Sequence, residues 1–389
     1  MNRPQHKALF RLLIILTIML IASCGSGGGS SSGKSEKNRL DVGNVDKQLF
    51  ERTDKLFSLF REKSNKIWQE SYRLDQMALM YVRNDGRRDQ YAYLINHPKV
   101  VGIESAQRYK VPADFNLPPV YRLDKIPNQE KIAKIENFDF NYDVHGVETY
   151  VMKYTSPDIN EFKAPTSDVW TLYVAHEGFH DYQLDTWREA PGNGQDIAGY
   201  PLNSEHIALI MLEDAVIKEA LQADSPAGRT RAIKQFVAIR QTRIATWDDV
   251  RYLDLPQEQI EGTARYIEHR LGSLIGYDKL NLNTFADGLG YIPESNIRGE
   301  LGFGRFYRTG AALGYLLDQL NIDWKIQIER GQSQFDVISD YYNIANDGVP
   351  ALLSEAKAAY HYDTLKMKAK DIAKVVASEP TDIFAGKSK

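Results

Sequence analysis

The sequence predicts an α+β protein, predominantly α-helical, in which a small sheet with a β-hairpin precedes a long helical region. Three observations predict it. Apolar residues recur at three- and four-residue steps over most of the chain. Strict alternation of apolar and polar residues appears clearly in one place, 138–144. Beyond residue 204 almost every segment carries helical periodicity, with turn residues only between segments. A chain of 389 residues with 43% hydrophobic content can bury a substantial core.

The first residues form an address. Arg3, Lys7 and Arg11 make a basic stretch ahead of the apolar run 12–21, which is too short to span a bilayer and fits a signal-peptide core. The run ends in Ile21-Ala22-Ser23-Cys24, which resembles the lipobox of bacterial lipoproteins. That resemblance implies cleavage after residue 23, a lipid on Cys24 and attachment to the membrane of a bacterial cell envelope. Gly25 in the next position resembles lipoproteins sorted to the outer membrane. Cys24 is the one cysteine of the chain, so neither a disulfide nor a thiolate metal ligand is available. Residues 24–40 then read as the lipidated cysteine and a Gly/Ser-rich flexible tether. Removing 1–23 takes three of the 48 basic residues and none of the 52 acidic ones, leaving a balance of −7. Such a chain, without a long basic run, offers no footprint for nucleic acid, and the lipid rather than charge holds it to the membrane.

Residues 41–389 read as one domain, with a helix-plus-sheet portion over 41–165 and a helical catalytic portion over 166–389. Leu49, Leu56, Phe60, Ile67, Leu74 and Tyr81 fall on helical steps, so 45–82 reads as one long amphipathic helix, broken at most once. The stretch 84–119 is punctuated by NDG, NHP and NLPP and reads as loops with short helical pieces. Phe138, Phe140, Tyr142 and Val144 alternate with polar residues as in a half-buried strand; His145-Gly146 suits a tight turn, and 147–151 continues as a second strand. After the loop 189–203, helices are expected over 204–222, 227–246, 256–275, 306–322, 334–345 and a divided 349–376.

Between hairpin and loop stands the stretch that carries chemistry, His176-Glu177-Gly178-Phe179-His180, on a proline-free helix. Residues i and i+4 share a helix face, so two imidazoles can reach one metal ion. Glu177 lies beside that face, where a carboxylate can take the proton of a metal-bound water whose pKa the cation lowers to about 7. The H-E-x-x-H pattern resembles the zinc metallopeptidases of the zincin type. The resemblance implies one Zn2+ per chain, a peptide or protein substrate, and a sheet whose edge strand pairs with the substrate backbone. A zinc site of this kind needs a third protein ligand. The position six residues past His180 is Thr186, and about twenty past it stand Gly199 and Tyr200, so neither of the two best-known branches is matched. Glu205, Glu213, Glu261 and Glu268 remain, with His206 and His269 as outsiders. Glu261, at the edge of the stripe Ile260, Ala264, Ile267, Leu271 and beside Gly262, is favoured; its E-G-x-A-x-Y setting resembles zinc peptidases of the glutamate-ligand, or gluzincin-like, kind in which a distant glutamate completes the site. Glu213, inside the apolar run 207–217, is the rival, and Glu268 and Asp181 are candidates for hydrogen bonds to the ligand histidines. Tyr307, with Arg308 beside it, is the candidate donor to the oxyanion of amide hydrolysis. The sequence thus reads as a lipid-anchored zinc metallopeptidase. The competing reading is an envelope interaction lipoprotein whose metal is absent or structural, a closed site needing a fourth ligand such as His206 or His269.

Overall fold

The computed structural model describes residues 38–161, 169–188, 199–275 and 282–381. The signal segment, Cys24 and the Gly/Ser tether lie outside the described residues. The fold is α+β and mostly helical, and the chain divides into two compact units, one ending at Tyr182 and one beginning at Gln183.

The first unit holds a six-stranded sheet in the order β3-β4-β2-β1-β6-β5. Its strands are β1 (Leu79–Asn84), β2 (Asp89–Ile95), β3 (Ala106–Tyr109), β4 (Val120–Leu123), β5 (Phe138–Asp143) and β6 (Glu148–Tyr154). β1 and β6 run parallel and every other pair is antiparallel. This corrects the sequence reading twice. The helix expected over 45–82 ends early: α1 spans Asn38–Ile67, with Lys63 already outside helical geometry, and Leu79–Asn84 is a central strand. The stretch expected as loops supplies β2 and β3, and β4 follows at its end.

One sheet face carries Met80, Val82, Ala92, Leu94, Leu123 and Val151, which pack with Ile132 of α2 (Gln129–Lys134) into a buried apolar layer. On the other face Tyr91, Tyr93 and Tyr154 all donate their hydroxyls to the Asp46 carboxylate of α1, at 2.8, 2.7 and 2.7 Å. One buried carboxylate thereby satisfies three phenols and pins α1 to the sheet. The β5–β6 hairpin is present, with His145 and Gly146 both at positive φ and paired backbone hydrogen bonds between Val144 and Val147, the geometry of a type I′ turn. The alternation along β5 does not survive intact. A bulge between Asp139 and Tyr142 leaves Phe140 against Tyr150 but moves Tyr142 and Val144 into the Met80 layer. A short helix, α3 (Ser156–Glu161), follows β6, and α4 (Trp170–Thr186) is the H-E-x-x-H helix.

The second unit is helical. Its main elements are α5 (Ser204–Gln222), α6 (Pro226–Thr246), α7 (Thr263–Leu274), α8 (Leu282–Asp287), α9 (Arg305–Gln319), α10 (Lys325–Glu329), α11 (Gln334–Tyr342), α12 (Val349–Ala359) and α13 (Tyr362–Ser378). The helices expected over 204–222, 227–246, 306–322 and 334–345 are present, the last region is divided as expected, the one expected over 256–275 becomes regular only at Thr263, and α8 and α10 were not expected. Starts are chemically marked: the Asn203 side chain accepts from the backbone of Glu205 and His206, Ser225 caps α6 ahead of Pro226, and Ser333 and Asp336 form a capping box. Periodicity gave no sign of three π-turns, Val250–Asp254, Glu258–Gly262 and Glu300–Gly304, which widen the helical path ahead of α7 and α9.

Candidate metal centre

α4 is seated on the sheet by its own small residue and by two phenols. A Cβ on Gly178 would stand 2.6 Å from Leu74 Cδ1 and 3.4 Å from the Tyr150 ring, so glycine is what lets the helix come this close. Tyr72 and Tyr150 donate to the carbonyls of Ala175 and Val174, at 2.9 and 3.1 Å, using the second lone pair of each helical oxygen. Burial first, and then the nearby charges of Asp181 for Tyr72 and Glu177 for Tyr150, push both phenols well above their usual range, so they remain donors. Phe179 packs edge-on against Trp68 and Tyr72, at ring separations of 5.0 and 4.9 Å. The turn that presents His176 is therefore held by hydrogen bonds on one side and aromatic packing on the other.

The ligand atoms of His176, His180 and Glu261 lie within 4.8 Å of one another, and all three side chains are buried. Among the described residues this is the one group of three or more His, Asp or Glu side chains placed to hold a metal ion. The donor set, two imidazoles and a carboxylate, is one that would suit zinc. Glu177, 1% exposed, follows His176 directly.

The other candidates fall differently. Glu213, the rival ligand, is committed elsewhere: Arg240 and Arg243 bind its two oxygens at 2.6 and 2.8 Å. Burial alone would raise its pKa, but those guanidiniums outweigh burial and hold it at about 2. His206 is no fourth ligand. It accepts from Arg243 at Nε2 (3.1 Å), its Nδ1–H donates to the Pro201 carbonyl, and burial with the Arg243 charge pushes its pKa down to about 3. His269 packs against the Phe285 ring, and Glu205 is exposed in the first turn of α5. Glu268 is fully buried and pairs with Arg265. Tyr307 is buried on α9 against Phe303, while Arg308 pairs with Glu300. Asp181 is half-buried on α4.

No protein-family model, curated protein or solved structure matches this chain.

The sequence reading missed what holds Glu261 in place. Arg240 grips Glu258, three residues before Glu261, with bonds of 2.8 Å to each oxygen, and Thr309 donates to the same carboxylate at 2.6 Å. Gly262 and Gly310 meet backbone to backbone: a Cβ on Gly262 would lie 2.4 Å from Gly310 Cα. Arg243 and Arg305 share Asp254, whose other oxygen accepts from Tyr200 at 2.7 Å. The signal was present. Arg240 and Arg243 interrupt the apolar run of α6 and Glu213 that of α5, and charges inside apolar helical runs mark buried ion pairs.

Proposed function

We propose that this protein is a lipid-anchored, zinc-dependent hydrolase of peptide bonds, of the H-E-x-x-H kind with a glutamate as third ligand. The observation that carries the reading is the buried grouping of His176, His180 and Glu261, two of whose members bracket Glu177 in sequence. Zinc, when bound, supplies a Lewis acid that polarises the scissile carbonyl and brings the pKa of water at its open position to about 7. His176, His180 and Glu261 would hold the ion. Glu177 takes the proton of the attacking water and hands it to the departing amine, a relay that needs its carboxylate ionised at the start. Tyr307 is the proposed donor to the carbonyl oxygen as charge builds there. Among the described residues β5 is the last strand of the sheet, and Phe138 at its start meets the Tyr173 ring of α4 at 6.2 Å, so this edge begins beside the H-E-x-x-H helix. An extended peptide adding to that edge is the substrate geometry we propose.

The test is Glu177→Gln. Turnover of a peptide library should vanish while zinc, measured by metal analysis, stays near one per chain. Loss of the metal in this variant, or unchanged turnover, overturns the role of Glu177. An absence of bound metal in the wild type overturns the reading as a whole.

A further inference from the structure

Glu261 sits in a π-turn, Glu258–Gly262, where the backbone departs from the regular α-helical ladder. Such a turn needs outside support to keep one conformation, and the support comes from an unexpected direction. The Gln183 side-chain nitrogen donates to the Ile260 carbonyl at 3.0 Å and to Thr263 Oγ1 at 2.8 Å. These acceptors lie on either side of Glu261, one residue before it and two after. Thr263 Oγ1 in turn donates to the Gln259 carbonyl at 2.6 Å, so the amide and the hydroxyl form one chain of hydrogen bonds along the turn. Gln183 is 2% exposed and stands three residues beyond His180 on α4. A residue three along a helix shares a face with the first. The helix that carries both histidines therefore also holds the backbone that carries the third ligand, through a side chain that is not itself a ligand.

We infer that Gln183 is a positioning residue: its two N–H donors fix the Glu261 turn relative to His180 and so set the spacing of the three ligand atoms. The inference rests on the zinc reading above. A primary amide suits this task, because it offers two hydrogens from one nitrogen and carries no charge that would compete for the metal or alter the carboxylates. Its partners are backbone and hydroxyl oxygens, so its loss frees the turn without removing any donor from the ion.

The experiment is a zinc titration of the full-length protein against a competing chelator, together with the visible absorption spectrum of the cobalt-substituted protein. Gln183→Met keeps the side-chain volume and removes both donors. It should weaken zinc binding about 10- to 100-fold, the usual effect of losing a partner behind the ligands, and shift the cobalt bands as the ligand geometry loosens. Thr263→Val removes one acceptor and leaves the Ile260 contact, so its loss should be smaller but measurable. Wild-type zinc affinity and an unchanged cobalt spectrum in Gln183→Met overturn the inference, even if that variant melts earlier. If Gln183→Met does not fold, Thr263→Val decides alone, and affinity equal to wild type overturns it. A wild type that binds neither zinc nor cobalt is a separate outcome, which removes the metal reading and this inference with it.

Discussion

At the scale of single residues, one buried cluster of the helical unit holds more acids than bases. Glu213, Asp214, Asp254 and Glu258 share the interior with Arg240, Arg243 and Arg305, so one carboxylate has no guanidinium of its own. That one is Asp214. Its Oδ1 makes no hydrogen bond among the described residues, and burial pushes its pKa from 3.8 up to about 6 against the partial relief of Arg305. The sign of the consequence is definite. Because the folded pKa lies above the unfolded one, the folded state holds this proton more tightly; the contribution is complete near pH 4 and is lost as pH rises through about 6. Glu213 behaves oppositely, its stabilisation being present above about pH 4.5 and lost only as pH falls toward 2. His206, depressed to about 3, likewise stabilises the folded state above about pH 6.5, a contribution lost as pH falls toward 3. Asp214→Asn keeps the shape without the charge. It should raise urea resistance at pH 7.5 by on the order of 2 kcal/mol and leave it unchanged near pH 4. Parallel stability-versus-pH curves for variant and wild type would refute this account.

At the scale of elements, the crossing of α9 with the π-turn that bears Glu261 depends on two glycines with no room for a methyl group. A Cβ on Gly310 would stand 2.4 Å from the Glu258 carbonyl oxygen, and one on Gly262 just as near Gly310 Cα, in both cases against backbone that cannot rotate aside. Alanine at 262 gains about 1 kcal/mol of helix propensity, but overpacking of this severity costs more, roughly 1–3 kcal/mol and upward. Gly262→Ala should therefore lower the melting temperature and weaken zinc binding together, since the same backbone carries Glu261. Gly102→Ala, where nothing lies within 4 Å of the added methyl, is the control and should leave both at wild-type values. A Gly262→Ala protein with wild-type melting and zinc affinity would show that the helices part without effect. The elements themselves were unevenly legible. Helices α5, α6 and α11 follow directly from their periodicity and caps. β1 did not, because both its faces are buried and its apolar residues happen to continue the seven-residue step of α1 from Ile67 to Leu74 and Tyr81. β3 and β4 are four residues each, too short to establish a period, although the NDG turn ahead of the apolar 91–95 was a hairpin signal in plain view.

At the scale of the whole molecule, legibility follows sequence distance. The histidine pair is visible because its members are four residues apart and one helix turn decides their geometry. Glu261 is 81 residues beyond His180, and its glycine neighbour, its place at the stripe's edge and the resemblance of its E-G-x-A-x-Y setting set it above Glu213. The arginines that occupy Glu213, and the Gln183 contact to the Glu261 turn, depend on packing that no local pattern encodes. The proposed anchor is the reverse case, since it is written entirely in a local motif and lies outside the described residues. A chain with net charge −4, and −7 without its first 23 residues, is repelled by an anionic membrane surface rather than drawn to it. On the proposed reading the attachment is hydrophobic, and because a single acyl chain binds only marginally, a lasting anchor at Cys24 would need at least two chains. Hydrophobic attachment does not weaken with ionic strength, whereas attachment through surface charge is screened within about 3 Å at molar salt. In a bacterial host the wild-type protein should therefore stay with the membrane fraction through a molar-salt wash and leave it in detergent. Cys24→Ser should lose the lipid mass increment and no longer require detergent once its signal segment is removed. Release of the wild type by salt alone, or detergent-dependent retention of a processed Cys24→Ser protein, would show that something other than the lipid holds it.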